Sequence, residues 1–200
     1  ELVPTFGWER ERLVYVLAGG MDALLASVEG AEDDAGAGEK AIREASASSD
    51  DVVIGVAASG RTTFTVAAVR TAADAGALTI GIANNPDTPL LEAATHPILL
   101  DTGPEVVAGS TRMKAGTAQK IALNMLSTLT AIHLGHVHDG YMVNLTADNI
   151  KLRDRAARIV AAISGRGTDD AARLLDQSGG VVQTAILLAA GAANADAAGD

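Results

Sequence analysis

Short apolar runs alternate with alanine-rich helical stretches through the middle of this chain, and that alternation constrains its fold more than any other feature. Val52-Val53-Ile54-Gly55-Val56, Leu78-Thr79-Ile80-Gly81-Ile82 and Pro97-Ile98-Leu99-Leu100 read as strands, with helices predicted over 39–47 and 63–75 between them. Arg12-Leu13-Val14-Tyr15-Val16-Leu17-Ala18, stopped by Gly19-Gly20, reads as a further strand, followed by a short helix through Leu24-Leu25 and an acidic, glycine-rich loop over 28–38. Strands joined through helices cross over right-handed and form a parallel sheet covered by helices, an α/β fold. Composition agrees: 48% of residues are hydrophobic but only 2% aromatic, so the core is built from Ala, Val, Leu and Ile.

A long helix is predicted from Ser110 to about His133. Ile121, Met125, Leu129 and Ile132 recur along it at helical spacing, which implies a buried face. Another is predicted over 145–163, with Ala147, Ile150, Leu152 and Ile159 directed inward. Gly165-Arg166-Gly167 ends it. Thr168-Asp169-Asp170 then caps a short helix over 171–177, and Gly179-Gly180 turns into a last helix ending near Ala190. The chain therefore divides into a sheet-bearing domain over 1–137 and a small helical C-terminal region over 138–200.

A formal charge of −10 and a pI near 4.7 argue against nucleic acid and an anionic membrane as partners. The absence of cysteine excludes a disulfide framework and thiolate chemistry. No apolar run reaches the roughly 18 residues of a membrane span. The first residue is Glu rather than Met, and the chain is read as a piece of a longer protein.

Two stretches carry the chemistry. Ser59-Gly60-Arg61-Thr62-Thr63 lies between a predicted strand and a predicted helix, where open α/β sheets bind ligands. Small residues let backbone N–H groups approach a phosphate, and the hydroxyls add donors. The turn either binds phosphate through Ser59, Gly60 and Thr62 with Arg61 nearby, or is a plain strand-to-helix turn with a serine N-cap. It is neither a Walker motif nor a dinucleotide fingerprint. The second stretch is Gly103-Pro104-Glu105-Val106-Val107-Ala108-Gly109-Ser110-Thr111-Arg112-Met113-Lys114-Ala115-Gly116-Thr117-Ala118-Gln119-Lys120. A helix start with free N–H groups and cationic side chains suits a phosphorylated or carboxylated small molecule. Lys114 and Lys120 either touch the substrate phosphate or carboxylate or sit on a solvated face, with Lys114 the favoured ligand contact, and Arg112 could instead anchor Glu105. His133, His136 and His138 have metal-like spacing but sit at a predicted helix end, where they complement the helix terminus. Trp8 and Tyr15 are expected to serve packing.

Glu29-Gly30-Ala31-Glu32-Asp33, Gly55-Val56-Ala57-Ala58-Ser59-Gly60-Arg61-Thr62 and the segment from Gly109 to Lys120 resemble the N-acetylmuramic acid 6-phosphate etherases, as does Leu123-Asn124-Met125-Leu126-Ser127-Thr128. The long motif is shared mainly with the glucokinase regulatory protein. The resemblance implies a sugar isomerase (SIS) domain, a three-layer α/β/α fold with a parallel sheet. It also implies an earlier strand and a first phosphate loop that this chain lacks. The activity implied is cleavage of the lactyl ether of a phosphorylated amino sugar, N-acetylmuramic acid 6-phosphate, to N-acetylglucosamine 6-phosphate and D-lactate. No metal or redox cofactor is expected, and the family is a cytoplasmic homodimer that recycles cell-wall sugar.

By the same resemblance Glu1, in Glu1-Leu2-Val3-Pro4-Thr5-Phe6-Gly7, is the acid, although Leu2 and Val3 depart from the family pattern. Glu32 is the base, with Glu29 its close rival. Ser59, Gly60, Arg61, Thr62, Ser110 and Lys114 are the expected substrate-binding residues. The competing functions are a non-catalytic sugar-phosphate regulator and a sugar-phosphate isomerase on the same fold.

Overall fold

The computed structural model describes residues 2–147 and 149–192. It separates into two compact units, one over Val14–Asn124 and the other combining 2–13 with the described residues from 125 onward.

The first unit is built on a parallel sheet of β1 (Val52–Val56), β2 (Leu78–Ala83) and β3 (His96–Leu99), in the order β1-β2-β3. Register is set by Val52 opposite Leu78 and Ile80 opposite His96. Helices α2 (Ala35–Glu44), α3 (Thr63–Asp74) and α4 (Pro89–Ala93) supply the connections and cover. Val69, Ala83 and Leu90 are fully buried between α3, α4 and the sheet. Gly55 and Gly81 give these helices their seat. A Cβ on Gly55 would lie 2.4 Å from Val69, and one on Gly81 would lie 2.8 Å from the Leu90 carbonyl.

Gly38 lets α2 and α3 approach backbone to backbone, because a Cβ there would come within 2.3 Å of the Phe64 carbonyl oxygen. Carbonyl oxygen cannot rotate out of the way as a side chain can. Gly38→Ala is expected to destabilise the protein by about 1–3 kcal/mol through this overlap. Urea unfolding at unchanged m-value would register it; a midpoint equal to wild type would refute the close approach.

The second unit begins with α1 (Leu2–Phe6) and contains a two-stranded hairpin, β4 (Val137–His138) and β5 (Tyr141–Met142), followed by α6 (Ile150–Ser164), α7 (Thr168–Gln177) and α8 (Val182–Ala189). Asp139 and Gly140 make the hairpin turn with φ of 48° and 79°. Paired positive φ values match the twist of a two-residue hairpin, and Asp-Gly tolerates them. The three helices pack around Ala156, Val160, Ala171, Leu175, Val182 and Ala185. The Asn149 side chain caps α6 through the Leu152 N–H, and Gly165 ends it in the left-handed conformation. Helix α5 (Lys114–His133) starts in the first unit and ends in the second.

Several expectations are corrected. Residues 13–17 belong to no strand, 18–19 form a turn and 10–12 a 3-10 turn, so the strand predicted over 12–18 does not form. A parallel strand needs a neighbour to receive its N–H and C=O groups, and none lies beside this run among the described residues. Helix α5 begins at Lys114 rather than Ser110. Ile121, Met125, Leu129 and Ile132 are exposed, so the apolar face of α5 is not covered. Helix α6 begins at Ile150 rather than 145, because 145–147 are spent on a bridge and hydrogen bonds to 180–182. Ile150 itself is exposed. Thr168 opens α7 instead of capping it; Gly167 occupies the N-cap and no side chain bonds there. Tyr15 is exposed rather than packed, while Trp8 is half-buried.

Candidate functional site

β1 delivers the chain to a tight turn at its carboxyl end, residues 57–62, which feeds directly into α3. The turn is clamped from several sides. The Gly60 N–H donates to the Ala57 carbonyl at 2.9 Å, and the Leu90 N–H donates to the Gly60 carbonyl at 3.1 Å. The Asn84 backbone N–H and the Asn85 side-chain amide both donate to the Ala58 carbonyl, each at 3.0 Å. Asn84 is tied in turn to the Leu100 carbonyl and, through Gln119 at 2.8 Å, to the early part of α5. Gly60 adopts φ 65°, and a Cβ on it would fall 2.3 Å from Thr88 Oγ1. Thr88 is wholly buried, and its hydroxyl has no hydrogen-bond partner among the described residues.

This clamp fixes a helix N-terminus that is open. Thr62 sits at the N-cap of α3 without making a side-chain cap bond. Among the described residues, the N–H groups of Thr63, Phe64 and Thr65 meet no acceptor. Unpaired N–H groups at the positive end of a helix dipole form a seat for an anion. Ser59 and Arg61 are exposed at its rim. The Ser59 hydroxyl accepts from the Arg61 N–H at 3.1 Å, and the Arg61 guanidinium reaches the Asp87 carbonyl at 3.5 Å.

A carboxylate stands beside that seat. Glu32 lies in a 3-10 turn, Ala31–Asp33, entered through Gly30 at φ 73°. The Thr63 hydroxyl donates to the Glu32 carbonyl at 3.2 Å, which ties the turn to the first residue of α3. The Thr62 hydroxyl reaches the Glu32 carboxylate at 3.5 Å, a weak bond that leaves the oxygens free to act. Asp34 meanwhile caps α2 through the Ala37 N–H at 2.9 Å. Glu29 is exposed and bonds to no described residue, so of the two rivals the fold carries Glu32 to the turn.

The start of α5 departs most from expectation. Its N–H groups are not free. Glu105 spans it with both carboxylate oxygens, accepting from the Lys114 N–H at 3.1 Å and the Ala115 N–H at 2.9 Å. The next two donors, on Gly116 and Thr117, go to the carbonyls of Thr111 and Met113. Glu105 is therefore held by backbone rather than by Arg112, which makes no ion pair among the described residues. Local capping patterns reach three residues along the chain; Glu105 reaches nine, beyond any such pattern. Ser110 and Lys114 flank this cap, Ser110 half-buried and Lys114 exposed. No hydrogen bond joins either side chain to the 59–62 turn among the described residues.

The Ala115 N–H, then the Lys114 N–H, hold the Glu105 carboxyl below the ordinary glutamate range; lost hydration opposes this, and the Lys114 ammonium adds slightly to it. A lowered folded-state value means that the carboxylate contributes stability above the unfolded value and loses it as pH falls through the folded one. Glu105→Gln should therefore be less stable than wild type near about pH 6, with the gap closing toward about pH 3. Urea midpoints across that range give the comparison, and a gap that stays constant would contradict the cap.

Glu1 lies outside the described residues. His133 closes α5, His136 is half-buried with an unpartnered Nδ1, and His138 is in β4. Among the described residues no cluster of three His, Asp or Glu side chains is placed to hold a metal ion, and no helix is long and apolar enough to cross a membrane.

The family model described as the SIS domain matches residues 35–129, which carry the sheet, the turn and most of α5. Proteins named N-acetylmuramic acid 6-phosphate etherase are similar over almost the whole chain. The one from Deinococcus radiodurans is 51% identical over 188 residues, covering 94% of this chain and 62% of its own length. That from Rubrobacter xylanophilus is 46% identical over 187 residues, with the same shares of 94% and 62%. That from Streptomyces coelicolor is 48% identical over 188 residues, covering 94% of this chain and 60% of the relative. The chain thus spans about three fifths of the length of these relatives. Its parallel α/β sheet, its strand-end turn and the match over 35–129 mark a SIS domain, and almost the whole chain is similar to proteins named N-acetylmuramic acid 6-phosphate etherase.

Proposed function

We propose that this chain carries the sugar-phosphate seat and the catalytic base of an enzyme that cleaves the lactyl ether of N-acetylmuramic acid 6-phosphate, a carbon–oxygen lyase. The observation that carries the reading is the Glu32 carboxylate beside Thr62, at the mouth of an α3 whose leading N–H groups are unpaired. The phosphate would sit on that helix end, with Ser59, Gly60, Arg61 and Thr62 around it. Binding so far from the reacting carbons orients the sugar without weakening the bond to be broken. Ser110 and Lys114 would contact the remainder of the substrate through their side chains.

The chemistry follows from the substrate. An ether resists cleavage because alkoxide is a poor leaving group. Once the sugar ring opens, the C2 hydrogen is α to an aldehyde and the lactyl oxygen is β to it. A carboxylate removes the C2 proton, the C3–O bond breaks, and an acid protonates the departing oxygen. Glu32 is the base of this scheme and Glu1 the acid. Water then adds to C3 of the unsaturated aldehyde, giving N-acetylglucosamine 6-phosphate and D-lactate. The expected assembly is a homodimer in the cytoplasm.

Turnover in ¹⁸O-labelled water tests the route. Elimination followed by addition puts the label on C3 of the sugar. Label recovered in lactate would defeat it. Sugar-phosphate binding without lactate release would favour a regulatory role, and ketose formation would favour an isomerase.

A further inference from the structure

Two helix ends in the first unit could hold an anion, and they are in opposite states. The end of α3 is open, whereas that of α5 is closed by the chain's own Glu105. We infer that Glu105 is a positioning residue: its carboxylate fills the anion seat of α5, excludes ligand anions from that helix, and fixes the 106–113 loop so that Ser110 and Lys114 offer side chains rather than backbone to the sugar. This inference rests on the site proposed above.

Every donor in the first turn of α5 is accounted for. Lys114 and Ala115 donate to Glu105, Gly116 to Thr111, and Thr117 to Met113. A substrate phosphate would have to displace a bound carboxylate to reach these groups. The carboxylate is held by two charge-assisted bonds, the stronger class of hydrogen bond. The loop it closes has little else to hold it. Val106 and Val107 are 87% and 67% exposed, Gly109 turns at φ 82°, and within 106–110 a single backbone bond is seen among the described residues, from the Ser110 N–H to the Val107 carbonyl. Without Glu105, residues 106–110 would keep only that turn, and the rest of the loop only the bonds from Gly116 and Thr117 to the Thr111 and Met113 carbonyls. The Glu105 carboxyl is also ill suited to remove a proton, because the N–H groups that hold it lower its basicity.

The test separates the two helix ends by their probes. Inorganic phosphate reports on the open turn at 59–62, and N-acetylglucosamine 6-phosphate reports on the turn together with the Ser110–Lys114 side chains. Binding of each to the full-length protein is measured by calorimetry, which needs no turnover. Glu105→Gln keeps the size of the side chain but replaces one acceptor with a donor aimed at an N–H. It should weaken the sugar phosphate about tenfold or more and inorganic phosphate less than about twofold. A residue serving stability alone would shift both affinities together or neither, and either result overturns the inference.

Glu105→Ala gives a second reading, since formate can re-enter the vacated helix end. Its melting temperature should rise more steeply with formate concentration than that of wild type, in which only the α3 end is open to the anion, and formate should restore sugar-phosphate affinity. A formate-insensitive Glu105→Ala protein would overturn the inference. Absence of lactate release by wild type would sink the proposed reaction but would leave both binding measurements able to judge Glu105.

Discussion

Glu32→Gln is expected to lower lactate release by about 10²–10⁴-fold, the usual worth of one positioned base. It should also abolish exchange of the C2 hydrogen with solvent. The substitution is well suited to isolating proton transfer. Glutamine has the same shape, can still accept from the Thr62 hydroxyl, and leaves the bond from Thr63 to the residue-32 carbonyl intact. Glu32 is exposed, so stability should change by no more than about 0.5 kcal/mol, and a drop in rate cannot be blamed on unfolding. Inorganic phosphate should bind slightly better, because a negative charge beside the seat has been removed. Glu29→Gln is the control: it makes no hydrogen bond to the turn among the described residues and should exchange C2 hydrogen at the wild-type rate. Normal exchange in Glu32→Gln would remove Glu32 as base.

Gly60→Val should have the second large effect, on folding and on phosphate together. Its Cβ would be driven to 2.3 Å from Thr88 Oγ1 and 2.6 Å from Thr88 Cβ, against a side chain that is fully buried. A β-branched residue at φ 65° adds backbone strain that glycine does not feel. Overlap and strain together should cost about 3–5 kcal/mol. The route of relief matters as much as its size. Thr88 cannot retreat, because Leu90 just beyond it is buried against the sheet and its N–H is bonded to the Gly60 carbonyl. The 57–62 turn must therefore move, and it takes the N–H groups of α3 with it. Phosphate affinity should fall by about 100-fold or more even where the protein remains folded. A folded Gly60→Val variant that binds phosphate as wild type does would show that the anion sits elsewhere.

Much of the sheet is legible in the chain because its signals are local. Residues 52–56 and 78–82 are short, β-branched and flanked by turns, and they form β1 and β2 as the pattern predicts. The 63–75 helix is bounded by a small-residue turn and Gly76, and α3 occupies Thr63–Asp74. The same local logic fails over 12–18. That run has strand composition, but a strand is completed by a partner, and sequence pattern does not supply one. It fails differently on α5, where Ile121, Met125, Leu129 and Ile132 share a helical face as expected yet remain exposed. Periodicity reports which residues share a face; it does not report whether anything covers that face.

The site divides along the same line. Residue order alone placed Ser59, Gly60, Arg61 and Thr62 at a strand-to-helix turn, because a strand's end and a helix's start are neighbours along the chain. Residue types there also announced hydroxyls, a guanidinium and a flexible backbone. Tertiary structure decided which helix end stays open. It brought Glu105 across nine residues to close α5, left α3 uncapped, and carried Glu32 rather than Glu29 across thirty residues to Thr62. Those choices depend on distances between residues far apart in order, which arise only on folding: the Val69–Leu90 core seats the turn between α3, α4 and the sheet, and the Thr63 hydroxyl ties the 3-10 segment to α3.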